Sequence, residues 1–118
     1  MDSIYKISEI AKQTGLTTAT LRYYEQIGLL QTKRKTNHYR EFDDSDLDWL
    51  RFIENMKKTG MKLSEIKYFS DLKQLGAKSR QKRLELLEEQ KVELIERIKE
   101  IEQSLNFLEE AKALTKNC

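Results

Sequence analysis

Between residues 84 and 108, Leu84, Leu87, Leu94, Ile98, Ile101, Leu105 and Leu108 follow one another at steps of three and four, once Lys91 is counted in the series. That spacing is the heptad seam of a coiled coil, sustained here for over three repeats. The pattern predicts one long helix from Lys78 onward. About thirty-five residues at ~1.5 Å each make a rod of roughly 50 Å. Such a rod cannot hide its seam within a chain of 118 residues. It needs a partner, and a second copy is the simplest one. Val92, Ile95, Phe107 and Leu114 lie off the seam and form a second stripe, suited to packing on the N-terminal part of that copy.

The composition agrees with solvent-washed helices. Charged residues reach 36%, hydrophobic ones 38%, and proline is absent. The length leaves room for one compact domain plus this appendage. Cys118 is the sole cysteine, so no disulfide can form within one chain. This fits a reducing compartment, and a soluble cytoplasmic protein is expected. No apolar run is long enough to span a bilayer and no signal-peptide pattern opens the sequence, so no membrane partner is expected.

Upstream of the rod the pattern breaks into short pieces. Helix one is expected from Ser8, its N-cap, to Thr14, with Ile10 and Ala11 inward and Gly15 as the stop. Thr17 caps a second helix, Thr18 to Ile27, with Leu21, Tyr24 and Ile27 inside and Gly28 ending it. Two short helices joined by Gly15-Leu16-Thr17 read as a helix-turn-helix, although any αα-hairpin shares that turn. Residues Gln31 to Phe42 lack helical period and read as an exposed hairpin, or wing, turning at Asn37-His38. Asp43 or Asp44 caps a third helix with Leu47, Leu50, Ile53 and Met56 inward and Gly60 at its end. A fourth helix runs from Leu63 to about Leu72, and the pattern lapses near Gln74 to Gly76. The fold expected is mainly α, a winged helix-turn-helix followed by a coiled-coil helix.

Charge is unevenly laid out. Residues 1–40 hold seven Lys/Arg against three acids, whereas residues 41–54 hold one against six. A basic lobe beside an acidic one suits a polyanion-binding face, and a solvated surface of scattered charge is the plainer alternative.

The run Thr20-Leu21-Arg22-Tyr23-Tyr24-Glu25 followed by Ile27-Gly28-Leu29-Leu30 resembles the recognition helix of the MerR family of bacterial transcription regulators. Tyr39-Arg40 resembles that family's wing pair, and Thr59-Gly60-Met61-Lys62-Leu63-Ser64-Glu65-Ile66 the join to its fourth helix. The resemblance covers about residues 4 to 72. It implies a DNA-binding domain over 1–72, a linker at 73–77, and a dimerisation helix with its tail over 78–118. The long helices would pair antiparallel through Leu84, Leu87, Leu94, Ile98, Ile101, Leu105 and Leu108, setting two recognition helices on successive major grooves. An effector-loaded dimer would bend and underwind an over-long promoter spacer, acting on RNA polymerase indirectly through the DNA.

Residue by residue, Arg22 is the expected base or phosphate contact. Thr18 and Thr20 stand near the groove end of that helix, and Tyr23 and Tyr39 offer hydroxyls to phosphates. Tyr24 is equally a core residue. Lys33, Arg34, Lys35 and Arg40 make up the wing's phosphate grip. Lys62, where relatives carry a capping serine, stands at a helix end that the family presents to phosphate.

This chain also departs from the family. Asn37-His38 replaces the wing's Asn-Gly, and Asn55 stands near where the electrophile-sensing branch carries a cysteine. Cys118 alone makes a poor metal site, so no metal and no cofactor are expected. Any small-molecule site is expected at the dimer interface or between coil and DNA-binding lobe. His38 and Cys118 are single copies without a nucleophile–base cluster, which speaks against an enzyme. An excisionase-like accessory factor would share the winged fold but not the coil. A coiled-coil adaptor would leave Arg22 and Tyr39-Arg40 unexplained.

Overall fold

In the computed structural model, residues 4–31, 33–34 and 40–118 are described, with side chains for 4–31 and 41–118. The chain divides into two compact units, 1–74 and 75–118.

The first unit opens with strand β1 (Ile4–Tyr5), which the residue pattern alone does not predict. It leads into α1 (Ile7–Thr14). The N-cap is Lys6, two residues before the expected Ser8. Its N–H donates to the Glu9 carboxylate at 3.1 Å, the reach-back half of a capping box. Gly15, at φ 76°, stops the helix, and its N–H returns to the Ala11 carbonyl. Helix α2 (Thr18–Gln26) begins at Thr17, whose hydroxyl accepts from the Thr20 N–H at 3.0 Å. Gly28, at φ 78°, lets Leu29 and Leu30 turn back, and both their amides donate to the Tyr24 carbonyl.

Strand β2 (Lys33–Arg34) pairs antiparallel with β3 (Arg40–Asp43), with Lys33 opposite Glu41 and Arg34 opposite Arg40. This agrees with the expected wing, while its Asn37-His38 turn lies outside the described residues. On its other side β3 pairs antiparallel with β1, giving the order β1-β3-β2. Helix α3 (Asp44–Lys58) follows without a loop, because Asp43 caps it and Asp46 reaches back to the Asp43 N–H. Helix α4 (Leu63–Gln74) continues past the expected Leu72.

Ile10 of α1, Leu21 and Tyr24 of α2, Phe42 of β3, Leu50 and Ile53 of α3 and Ile66 of α4 are fully buried together. Each helix thus contributes its periodic face to one core. Trp49 stacks on Phe52 at 5.2 Å between centroids, and Phe52 meets Phe69 at 5.6 Å.

The second unit starts with a 3₁₀ turn at Gly76–Ser79, then α5 (Arg80–Lys116). The long helix therefore begins two residues later than Lys78. Arg83 fixes this entry, donating to the Ser79 hydroxyl at 3.0 Å and the Gly76 carbonyl at 3.1 Å. At 37 residues α5 is roughly 55 Å long. Of its expected seam, Leu94 is partly buried; Leu84, Leu87, Ile98, Ile101, Leu105 and Leu108 are exposed, as are Phe107 and Leu114 off the seam.

Candidate nucleic-acid interface

Helix α2 has two faces with different jobs. Leu21 and Tyr24 point into the core, while Ala19, Arg22, Tyr23 and Gln26 are exposed. Those four sit at i, i+3, i+4 and i+7, so they share one outward stripe. Arg22 ends in a guanidinium, Tyr23 in a phenol, Gln26 in an amide, and Ala19 in a methyl. This is the assortment that reads donors, acceptors and thymine methyls in a major groove. Ala19 and Gln26 do not stand out in the sequence because neither carries charge; the spacing from Arg22 is the available signal.

The threonines are placed differently. Thr18 is half-buried at the start of α2. Thr20 shares its hydroxyl with that of Thr17 at 2.9 Å, so it belongs to the helix cap as well as to the N-terminal end that would face DNA. Tyr24 is core, 2% exposed, with its hydroxyl donating to Glu54 Oε1 at 3.1 Å and accepting from Lys57 Nζ at 3.2 Å. Burial raises its pKa above the ordinary 10.0, and the hydrogen bond to Tyr24 raises Lys57 above 10.5. Lys57 also sits 3.6 Å from Glu54 and stays partly exposed, a cation beside α2 that the sequence motifs do not single out.

Lys62 immediately precedes α4 and is exposed. Its N–H donates to Glu65 Oε1 at 3.0 Å, and its carbonyl accepts from Glu65 and Ile66. Glu65 therefore partly screens the positive helix end that Lys62 reinforces. Among the described residues the Lys62 ammonium has no carboxylate partner. Lys33, Arg34 and Arg40 are placed by their backbone on the paired strands. Lys35 and Tyr39 lie outside the described residues, as does His38.

Ser45, Trp49, Ser70 and Lys73 help line a cleft of about 360 Å³, where the Lys73 ammonium lies 4.5 Å from the Trp49 ring centroid. The cleft is lined by residues of the first unit, and its volume is within the range of ligand pockets. Cys118 is exposed and free, and the described residues contain no cluster of His, Cys, Asp or Glu able to hold a metal ion. Among them, no helix is long and apolar enough to cross a membrane.

Known proteins share this fold. Residues 5–72 match the family model described as "MerR HTH family regulatory protein", and residues 47–111 the one described as "MerR, DNA binding". The HTH-type transcriptional regulator AdhR of Bacillus subtilis is 37% identical over 91 residues, covering 76% of this chain and 65% of that protein. The chain thus spans just under two thirds of that relative's length. A structure of HiNmlR, a MerR family regulator lacking the sensor domain and bound to promoter DNA, is 33% identical with a TM-score of 0.76, covering 88% of this chain and 80% of that one. A putative MerR family transcriptional regulator from Listeria monocytogenes is 31% identical with a TM-score of 0.80, covering 89% and 80%.

Proposed function

Because the chain belongs to the MerR family of DNA-binding transcriptional regulators, we propose that it acts as a homodimer on promoter DNA, reading two half-sites through α2 and remodelling an over-long spacer in response to an effector. Members of this family are transcription factors and not enzymes. The observation that carries the reading is the outward stripe of α2, with Arg22 and Tyr23 exposed on a helix whose opposite face is locked into the core.

Arg22 is the base contact, with Thr18, Thr20 and Tyr23 around it. Lys33, Arg34, Lys35, Tyr39 and Arg40 of the wing, with Lys62, hold phosphates, fixing register without reading sequence. Residues 1–72 form the DNA-binding domain and 73–77 the linker to the dimerisation helix. The exposed seam of α5 supports self-association, since six apolar side chains in one row are poorly left in water. The off-seam Phe107 and Leu114, both largely exposed, suit contact with the partner's DNA-binding domain. RNA polymerase is engaged indirectly, through the deformed DNA, in the cytoplasm. With Asn55 in place of a cysteine, thiol sensing at that site is not available to this chain.

The deciding experiment is footprinting on the DNA upstream of the protein's own coding region. Protection inside an unusually long −35/−10 spacer is the expected result. Absence of any sequence-dependent footprint would refute the reading.

A further inference from the structure

Tyr24 does more than fill the core. A phenylalanine would bury the same ring, so packing alone does not require the hydroxyl. In this fold the hydroxyl is bonded in both directions, to Glu54 and to Lys57, which are themselves paired one turn apart on α3. The backbone of the same residue accepts the amides of Leu29 and Leu30, at 2.8 and 3.2 Å. The Leu29 carbonyl in turn accepts from Trp49 Nε1, also on α3, at 2.8 Å. A closed circuit results. It leaves α3 at Glu54 and Lys57, enters α2 at Tyr24, passes into the connector toward the wing, and returns to α3 at Trp49.

We propose that Tyr24 and Trp49 are positioning residues for sequence readout: their hydrogen bonds at opposite ends of this circuit fix the roll of α2 on α3, and thereby where Arg22 and Tyr23 meet the DNA. Helix α2 has nine residues and only Leu21 and Tyr24 fully seated. Two knobs three residues apart hold such a helix down but resist rotation about its axis weakly. A roll of ~15° moves a side-chain tip ~6 Å from the axis by about 1.5 Å. Recognition geometry tolerates displacements of only ~0.5 Å. Phosphate contacts, spread over flexible lysines, tolerate far more. The circuit therefore controls discrimination between DNA sequences and leaves non-specific affinity alone. Helix α3 is a suitable reference because it is capped by Asp43 and rooted in the core through Leu50 and Ile53.

This inference rests on α2 being the groove-reading helix. The test uses the full chain and compares binding to its footprinted site and to random duplex at several salt concentrations, with melting temperature measured alongside. Tyr24→Phe should weaken the specific complex about 5- to 10-fold, a fraction of one bidentate base contact, and leave random DNA and both salt slopes unchanged. Glu54→Gln, which keeps an acceptor oxygen, should bind like wild type. Glu54→Leu should resemble Tyr24→Phe, and the double variant should lose little more than either alone. Trp49→Phe should repeat the pattern through the other end of the circuit. If Tyr24→Phe lowers the melting temperature but the ratio of specific to random affinity stays at the wild-type value, the hydroxyl is merely structural and the proposal fails. Should Tyr24→Phe not fold, Glu54→Leu decides by the same ratio. Failure of the underlying reading looks different, since Arg22→Ala would then leave that ratio unmoved as well.

Discussion

Arg22 is exposed and makes no ion pair among the described residues, so its charge is available for a ligand. A bidentate base contact contributes ~1–3 kcal/mol of discrimination. Arg22→Ala should therefore cost more on the specific site than on random DNA. Lys33, Lys35 and Lys62 should behave otherwise. Replacing each with alanine should weaken both DNAs about equally and flatten the slope of log K against log salt by about 0.9 for each phosphate that the bound dimer no longer neutralises. Salt titrations of both DNAs separate the two patterns, and equal losses for Arg22→Ala would demote it to a phosphate contact. On the proposed reading, residue chemistry also limits what the protein could sense. The exposed Cys118 stands alone, and Asn55 is an exposed amide on α3. DNA binding should thus be indifferent to oxidants, aldehydes and thiol-binding metals, with Cys118→Ser behaving like wild type. A response abolished by that substitution would contradict this.

At the level of elements, the contact between α2 and α3 carries a pH signature. Tyr24 holds its proton more tightly in the fold because it is buried, and Lys57 does so because it donates to Tyr24. Both folded-state values lie above the unfolded ones. The stability these groups add is therefore whole below about pH 10 and is lost as pH climbs through the folded values. Melting temperature measured across that range should fall less steeply for Tyr24→Phe than for wild type; parallel curves would detach the fall from this pair. Gly28, at φ 78° between α2 and the connector, gives a second test. Alanine there should cost about 1–2 kcal/mol by backbone strain, read by denaturant unfolding, and a neutral effect would mean the connector relaxes. These elements also mark how far the sequence can be read. Helices α2 and α3 are legible because capping residues, glycine stops and a 3.6-residue apolar period agree over their whole length. Strand β1 is not, since two residues show no period and Ile4–Tyr5 is a strand only because β3 pairs with it. The α1 cap is misplaced by local preference, which favours Ser8, whereas Glu9 reaching back to Lys6 sets the cap two residues earlier. Within the candidate site, Arg22 and Tyr23 stand out by motif, and Tyr24's circuit is invisible because it joins residues thirty positions apart.

For the whole molecule, the question is how a DNA-binding unit with one short recognition helix gains enough affinity to hold a promoter. A single helix reads few base pairs, and two copies joined rigidly read two half-sites with the second contact made at high effective concentration. On the proposed reading the joining element is α5. Leu84, Ile98, Ile101, Leu105 and Leu108 each leave more than half of their surface in water, on a row that is apolar at nearly every seam position. We expect a homodimer at micromolar concentration on this ground. Ile98→Glu with Ile101→Glu would place four carboxylates within one paired interface, where desolvation and mutual repulsion both oppose association. That variant should run as a monomer in light scattering while its N-terminal unit, whose core lies in residues 10–69, keeps its fold. Its affinity for a single half-site should match wild type, and its affinity for the full operator should drop by about 100-fold or more, the avidity of a linked pair. A monomeric mass for the unmodified chain would sink the expectation outright. A dimeric mass with undiminished operator binding by the monomeric variant would separate the coil from DNA recognition and leave remodelling of the spacer without a lever.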